Sequence, residues 1–124
     1  MEYRNLGPTG LKVSIVGIGC NNFGMRCSEE NTTAVVNAAL DEGINFFDTA
    51  DVYGPRGVSE EFLGKALKDK DRSQVVIASK FANPMGDGEL MKGASRRYIM
   101  NAVEASLKRL GTDYIDLYQQ HIPD

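Results

Sequence analysis

Segments typical of β-strands and segments typical of α-helices alternate along this chain of 124 residues, and this alternation limits the possible folds more than any other feature. Four strand-like runs are present, at residues 15–19, 44–47, 75–78 and 114–120. The first three are almost continuously apolar, as in strands that are buried on both faces, and the fourth is amphipathic. Strands that alternate with helices predict βαβ units, and therefore an α/β fold with a parallel sheet.

Three helical segments lie between the strands. The first is predicted to begin at Ser28 and to stop at Gly43, with an apolar stripe formed by Ala34, Val35, Ala38 and Ala39. The second is predicted to begin at Ser59, which leaves residues 48–58 as a loop. The third is predicted to run from a cap at Ser95 to Gly111.

The N-terminal residues depart from this alternation. Residues 3–6 and 11–14 flank the sequence Gly7-Pro8-Thr9-Gly10. Proline and glycine favour a tight chain reversal, so we expect a small β-hairpin before the first βαβ unit. The whole chain, 1–124, is then predicted to form one domain.

The composition is that of a globular protein and argues against several classes of function. The net charge is −3, whereas proteins that bind nucleic acids usually carry a basic surface, so no nucleic-acid partner is expected. No apolar run approaches the roughly 18 residues of a membrane span, and no signal peptide is recognisable. Two cysteines and one histidine do not have the spacing of a metal site, so no metal is expected, and the cytoplasm is the expected location.

Polar residues follow the predicted strands at the point where each strand ends. These residues are Asn21, Asp48, Lys80 and His121, one for each strand. In a (β/α) barrel the functional site lies at this edge of the sheet. Neighbouring strands are roughly 4.8 Å apart, which makes an ion pair between Asp48 and Lys80 feasible, and burying either charge alone would be costly. A structural role explains each residue taken alone, whereas four strands with the same feature favour a site.

Tyr53, five residues after Asp48, could supply the chemistry at this edge. A phenol is a poor proton donor at neutral pH because its usual pKa is about 10, and a neighbouring ammonium group favours the phenolate. Asp48 would hold Lys80 in place beside the phenol, and His121 could orient a substrate carbonyl. Together they would form a general-acid catalyst.

The run 43–54, Gly-Ile-Asn-Phe-Phe-Asp-Thr-Ala-Asp-Val-Tyr-Gly, with Ser59–Gly64 after it, resembles the first signature of the aldo-keto reductases. Further segments resemble that family's hairpin, first strand, lysine strand and approach to its histidine, in that order, at 3–14, 17–24, 78–81 and 107–121. The resemblance covers the whole chain. It implies the N-terminal half of a (β/α)8 TIM barrel that reduces aldehydes and ketones with NADPH.

The resemblance also implies roles for individual residues. The catalytic tetrad would consist of Asp48, Tyr53, Lys80 and His121, with the tyrosine as the general acid. The residues near the nicotinamide and its ribose would be Gly19, Cys20, Asn21 and Asp48, although a plain strand-to-loop turn explains Cys20 and Asn21 equally well. Phe23 and Phe81 could line a substrate pocket or pack in the core.

A barrel of this type needs about 250 residues, so we expect this chain to end after the fourth barrel strand and to lack much of the cofactor site. Little activity and weak NADPH binding are expected from the chain alone. The open edges of the sheet are expected to favour self-association. A fragment of a longer enzyme is preferred over a pseudo-barrel of two copies or a small open-sheet domain.

Two other interpretations remain open. Potassium-channel β subunits resemble this family, so the chain could be a non-catalytic binding or regulatory module. A flavodoxin-like sheet is also compatible with alternating strands and helices, but the N-terminal hairpin and the lack of a phosphate-binding loop after the first strand disfavour it. Gly17-Ile18-Gly19 lacks the further glycine of a dinucleotide-binding fingerprint.

Overall fold

A computed structural model describes all residues from Met1 to Asp124. The six strands are β1 (Tyr3–Asn5), β2 (Lys12–Ser14), β3 (Ile18–Gly19), β4 (Phe46–Asp48), β5 (Val76–Phe81) and β6 (Leu117–Gln120). The three α-helices are α1 (Glu29–Asp41), α2 (Tyr53–Leu67) and α3 (Arg96–Leu110). No helix combines the length and the apolar character that crossing a bilayer requires.

The N-terminal hairpin is present as predicted. Strands β1 and β2 pair antiparallel, and the residues between them include a 3-10 turn at Gly7–Thr9. The hairpin is attached to the residues that precede β4. The Tyr3 hydroxyl donates to the Gly43 carbonyl at 2.6 Å, and the Asn45 side-chain oxygen accepts from the Ser14 amide at 2.8 Å. The hairpin therefore lies at the start of the parallel strands, opposite the edge at which they end.

The other four strands form a parallel sheet in the order β3-β4-β5-β6. Each strand lies beside the one that precedes it in the chain, and the connections contain α1, α2 and α3 in turn. This confirms the predicted α/β fold: a hairpin followed by the parallel strands of a (β/α) barrel. Strands β3 and β6 are at the two edges of the sheet.

The main core lies between the sheet and helices α1 and α2. Phe47 and Ile77, from adjacent strands, are buried there together with Leu63 of α2. A smaller cluster packs Phe81 of β5 against Tyr98 and other residues of α3. Because side chains alternate along a strand, the residues next to Phe47 and Phe81, namely Asp48 and Lys80, belong to the face turned away from the helices.

The boundaries of several elements differ from the prediction. The predicted first strand, 15–19, is regular only at Ile18–Gly19, and Ile15 and Val16 are exposed. The fourth strand is Leu117–Gln120 rather than 114–120. The bounds of helix α2 include Tyr53, but the four residues after Tyr53 have non-helical torsion angles. The regular helix therefore begins after Gly57, close to the predicted start at Ser59.

The predicted apolar stripe of α1 was wrong in part. The buried residues of this helix are Thr32, Val36 and Ala39, whereas Ala34, Val35 and Ala38 are exposed. Of the predicted positions only Ala39 is buried. Alanines are spread along this helix, so their pattern carried little information about which face would pack against the sheet.

Candidate active site

Four side chains from different elements meet at the edge where the parallel strands end. Asp48 is the last residue of β4, Lys80 is in β5, Tyr53 is the first residue of α2, and His121 follows β6 directly. The sheet register places Asp48 opposite Ala78 and Lys80 opposite Gln119. The structure thus brings together all four residues that the sequence predicted.

The ammonium group of Lys80 is at the centre of this group. It lies 2.9 Å from Oδ1 of Asp48, 2.8 Å from the carbonyl oxygen of Thr49 and 3.4 Å from the hydroxyl of Tyr53. Only 12% of the lysine side chain is exposed. A buried ammonium group is costly unless it is paired, and these three acceptors satisfy that requirement and fix its position.

Asp48 is the partly exposed member of the ion pair, with 45% of its side chain accessible to solvent. Its backbone carbonyl accepts a hydrogen bond of 2.9 Å from the amide of Cys20, which joins β3 to β4 at this edge. The carboxylate therefore reaches Lys80 on one side and remains accessible from the open side of the site.

The phenol ring of Tyr53 lies between a cation and an imidazole. Its centroid is 4.8 Å from the Lys80 ammonium nitrogen and 5.6 Å from the centroid of the His121 ring. The two rings are almost perpendicular, at 85°. When a phenol donates its proton, a phenolate remains. The fixed ammonium group beside the ring stabilises that phenolate, which allows the phenol to act as a general acid.

His121 is anchored through its backbone and its ring. Its amide donates to the Phe81 carbonyl at 2.9 Å, which extends the pairing of β6 with β5. Its Nδ1 lies 3.0 Å from the side-chain nitrogen of Asn83. Burial lowers the pKa of the imidazole, and the Lys80 charge lowers it further, against an opposing contribution from Asp48. Burial and the Lys80 charge therefore favour the neutral imidazole over the imidazolium.

The residues predicted to contact a cofactor lie beside Asp48. Gly19 pairs with Asp48 across the sheet, and the side chain of Asn21 is exposed. Cys20 is fully buried. Its amide bonds to Asp48, and its carbonyl accepts from the Ser59 hydroxyl at 2.6 Å, so Cys20 has its polar groups engaged within the protein.

Phe23 and Phe81 were predicted either to line a pocket or to pack in the core. Both are buried, with 4% and 6% exposure. Phe23 belongs to the main cluster behind β4, and Phe81 packs on Tyr118 with ring centroids 5.0 Å apart. The structure therefore places both in the core.

A second group of polar residues, which the sequence analysis did not find, is buried behind the site. Glu60 is completely inaccessible, accepting from the Ser79 hydroxyl at 2.7 Å and from Nε of Arg109 at 2.8 Å. The carboxyl group of Asp51 is also buried, and no side chain forms a hydrogen bond with it. Burial and the neighbouring Glu60 raise the pKa of Asp51 to about 7, although Arg109 opposes this. No signal in the sequence separates Glu60 from the exposed Glu61 beside it.

Comparison with known protein families gives a match over most of the chain. The profile described as "Aldo/keto reductase family" matches residues 15–124. Among curated proteins, an "Aldo-keto reductase YhdN" of Bacillus subtilis is 44% identical over 129 aligned positions, which span 100% of this chain and 39% of that protein. A "Probable voltage-gated potassium channel subunit beta" of Arabidopsis thaliana is 40% identical over 127 positions, which span 100% of this chain and 38% of that protein.

A solved structure has the same architecture. It is described as "aldo-keto reductase AKR11C1 from Bacillus halodurans (holo form)", and the similarity has a TM-score of 0.84 at 42% sequence identity. The superposition covers 97% of this chain and 40% of that chain. The chain therefore spans about two fifths of the length of the proteins that it matches.

Proposed function

The chain belongs to the aldo-keto reductase family, and on that premise we propose that it supplies the proton-donating part of an NADPH-dependent reductase of aldehydes and ketones. One observation carries the proposal. The Lys80 ammonium contacts both Asp48 and the hydroxyl of Tyr53, at the edge of the sheet where the strands end. In barrels of this kind, catalytic residues come from the ends of several strands.

In the proposed mechanism each of the four residues has a distinct role. Tyr53 donates a proton to the carbonyl oxygen of the substrate. Lys80 stabilises the phenolate that remains, and Asp48 keeps the ammonium group charged and in place. His121, neutral and next to the phenol ring, orients the carbonyl oxygen. General-acid catalysis of this type typically contributes 10²- to 10⁴-fold to a rate.

The exposed edge beside Asp48 fits the nicotinamide end of NADPH. Gly19 has no side chain, and in the direction a side chain would take only the Asn21 side chain comes within 4 Å, so the backbone there is open to a ligand. Gly19, Asn21 and Asp48 would hold the ribose and nicotinamide, with Cys20 supporting the turn from inside. When bound, the cofactor supplies the hydride for the carbonyl carbon.

A small carbonyl compound is the proposed substrate. The test is oxidation of NADPH in the presence of a nitrobenzaldehyde, followed by absorbance, with this chain and with longer forms of the protein that contain it. Tyr53→Phe should lower kcat by about 10²-fold or more. Tyr114→Phe removes a hydroxyl from an exposed tyrosine elsewhere and should leave the rate unchanged. In a form that oxidises NADPH measurably, equal rates for Tyr53→Phe and the unmodified protein would refute the reductase proposal.

Cofactor binding by the chain alone gives a separate test. We expect weak binding, with a dissociation constant above the micromolar range, because most of the length of the related enzymes is outside this chain. Fluorescence titration with NADPH measures it. Micromolar or tighter binding would contradict this expectation. Self-association through the edges of β3 and β6 also stays a prediction, which sedimentation analysis of the same sample tests.

A second candidate function is favoured by the similarity to a potassium-channel β subunit of Arabidopsis thaliana, which extends over the whole chain. In that case the chain would act through a protein partner rather than by reducing a carbonyl. A stable complex with a channel protein, unaffected by Tyr53→Phe and Lys80→Met, would support it. Reductase activity that depends on both residues would favour the enzyme.

A further inference from the structure

Asn83 and His121 make a hydrogen bond whose direction can be assigned. The side-chain nitrogen Nδ2 of Asn83 lies 3.0 Å from Nδ1 of His121. With the amide in this orientation its nitrogen can only donate, which makes Nδ1 the acceptor and leaves it without a proton. A neutral imidazole has one N–H group, which must then be on Nε2.

The backbone around Asn83 is held in a costly conformation. The preceding residue, Ala82, has a φ of +107°, which a residue with a side chain rarely adopts. Ala82 is buried, and its carbonyl accepts from the Gly93 amide at 2.9 Å. Such strain persists only where the surrounding structure enforces it, and it is common at functional sites. Here the strained residue lies between the end of β5 and Asn83, which contacts His121.

The charges around His121 are consistent with a neutral ring. Three elements present titratable groups to it: β4 through Asp48, α2 through Tyr53 and β5 through Lys80. Burial disfavours the imidazolium and so does the Lys80 ammonium, which together lower the pKa of His121 although Asp48 opposes them. Because Nδ1 is engaged by Asn83, Nε2 is the ring nitrogen that remains for another partner.

We propose that Asn83 is a positioning residue that fixes His121 as the Nε2–H tautomer, so that Nε2–H is the hydrogen-bond donor available to a substrate carbonyl oxygen. The catalytic meaning of this inference rests on the proposed reductase function. The tautomer itself does not, since it follows from the hydrogen bond. Asn83 acts through His121 and has no contact with the reacting atoms in this assignment.

His121 is the only histidine in the chain, so the tautomer can be measured without assignment of other residues. NMR of 15N-labelled protein at a pH above the imidazole pKa correlates the carbon-bound ring protons with both ring nitrogens. The nitrogen chemical shifts then distinguish the protonated from the unprotonated nitrogen. We expect Nε2 to be protonated and Nδ1 unprotonated. A neutral ring that is protonated mainly on Nδ1 would overturn the inference with no mutant needed.

Two substitutions at Asn83 test whether that residue sets the tautomer. Asn83→Asp replaces the donor with an acceptor, so Nδ1 should gain the proton, the tautomer ratio should invert and the pKa of His121 should rise. Asn83→Ala removes the donor, so the population of the Nδ1–H form should increase. Asn101→Ala makes the same change at an exposed helix position and should alter neither. If the spectra of both Asn83 variants match that of the unmodified protein, the inference is overturned.

Kinetics distinguish failure of this inference from failure of the proposed function. In an active form of the protein, Asn83→Ala should lower kcat/KM, and Asn83→Asp should move the acid limb of the pH–rate profile to higher pH. If activity depends on Tyr53 but the tautomer of His121 does not change when Asn83 is substituted, the reductase proposal stands and the role of Asn83 is rejected. If Asn83 sets the tautomer but Tyr53→Phe does not change the activity, the reductase proposal is rejected and the tautomer assignment stands.

Discussion

The carbonyl oxygen of Phe23 occupies the space in which a side chain at Gly54 would begin. Gly54 also has a φ of +63°, in the left-handed region that favours glycine. This residue follows Tyr53 directly and begins the non-helical part of α2. Two backbone segments therefore approach each other closely directly after Tyr53.

Gly54→Ala should consequently destabilise the protein strongly. The new methyl group would overlap a backbone atom that cannot move away as a flexible side chain would, and we expect a loss of roughly 3 kcal/mol or more in the free energy of unfolding. Urea denaturation followed by circular dichroism measures it. Gly111→Ala is the matched control, because Gly111 has a φ of +67° with no atom within 4 Å of the added methyl group. Its cost should be only about 1–2 kcal/mol, and equal losses for the two variants would contradict this account.

The parallel sheet and the proximity of the four candidate catalytic side chains could be predicted, because each follows from a pattern of residues that are close together in the sequence. Apolar runs separated by helical segments predict parallel strands, and residues just after those strands must lie at one edge. Asp48, Lys80 and His121 were found in this way, and the structure brings them together with Tyr53. The hairpin was predicted from its turn residues.

Features that depend on three-dimensional packing could not be predicted. Glu60 and Glu61 both appear as acidic residues near the start of a helix, yet Glu60 is fully buried and Glu61 is exposed. The partner of Glu60, Arg109, is 49 residues away. Asn83, in a segment with proline and glycine, has the pattern of an ordinary loop residue. Its partner His121 is 38 residues away, and the backbone at Ala82 directly before it has a φ of +107°.

The unpaired carboxyl group of Asp51 should make stability depend on pH. Its pKa is raised from 3.8 to about 7 in the folded protein, first by burial and then by Glu60. At Asp51 the folded state therefore binds more protons than the unfolded state between about pH 4 and pH 7. The contribution of this residue to the unfolding free energy falls as pH rises through this range. A shift of this size corresponds to an effect on the order of 4 kcal/mol.

Asp51→Asn should remove this dependence, since an amide resembles the protonated carboxyl group in shape and has no charge. We expect this variant to be more stable than the unmodified protein at pH 8, with the difference shrinking towards pH 5. Urea denaturation at both pH values measures it. Asp69→Asn, at an exposed position, should not change the pH dependence. If Asp51→Asn follows the same pH curve as the unmodified protein, the carboxyl group is not protonated in the fold.

The ion pair between Glu60 and Arg109 should be important for folding. Arg109→Leu would leave the Glu60 carboxylate buried without a countercharge, close to Asp51, and we expect a loss of about 3–5 kcal/mol in the free energy of unfolding. Glu60→Gln keeps an acceptor for the Ser79 hydroxyl and should be less damaging. The exposed pair of Lys65 and Glu29 provides the control, because Lys65→Ala should change stability little. A small effect of Arg109→Leu would mean that solvent reaches Glu60.

The two cysteines should differ sharply in reactivity. Cys20 is fully buried at the end of β3, and burial, with the Asp48 charge, raises the pKa of its thiol to about 12. Cys27 is only partly buried. Because the thiolate is the reactive form, a disulfide reagent at pH 8 should modify one thiol quickly and the second only on unfolding. Cys27→Ser should abolish the fast reaction, and Cys20→Ser should retain it. Rapid labelling of Cys20 in the folded chain would contradict this expectation and would show that the turn beside Asp48 opens.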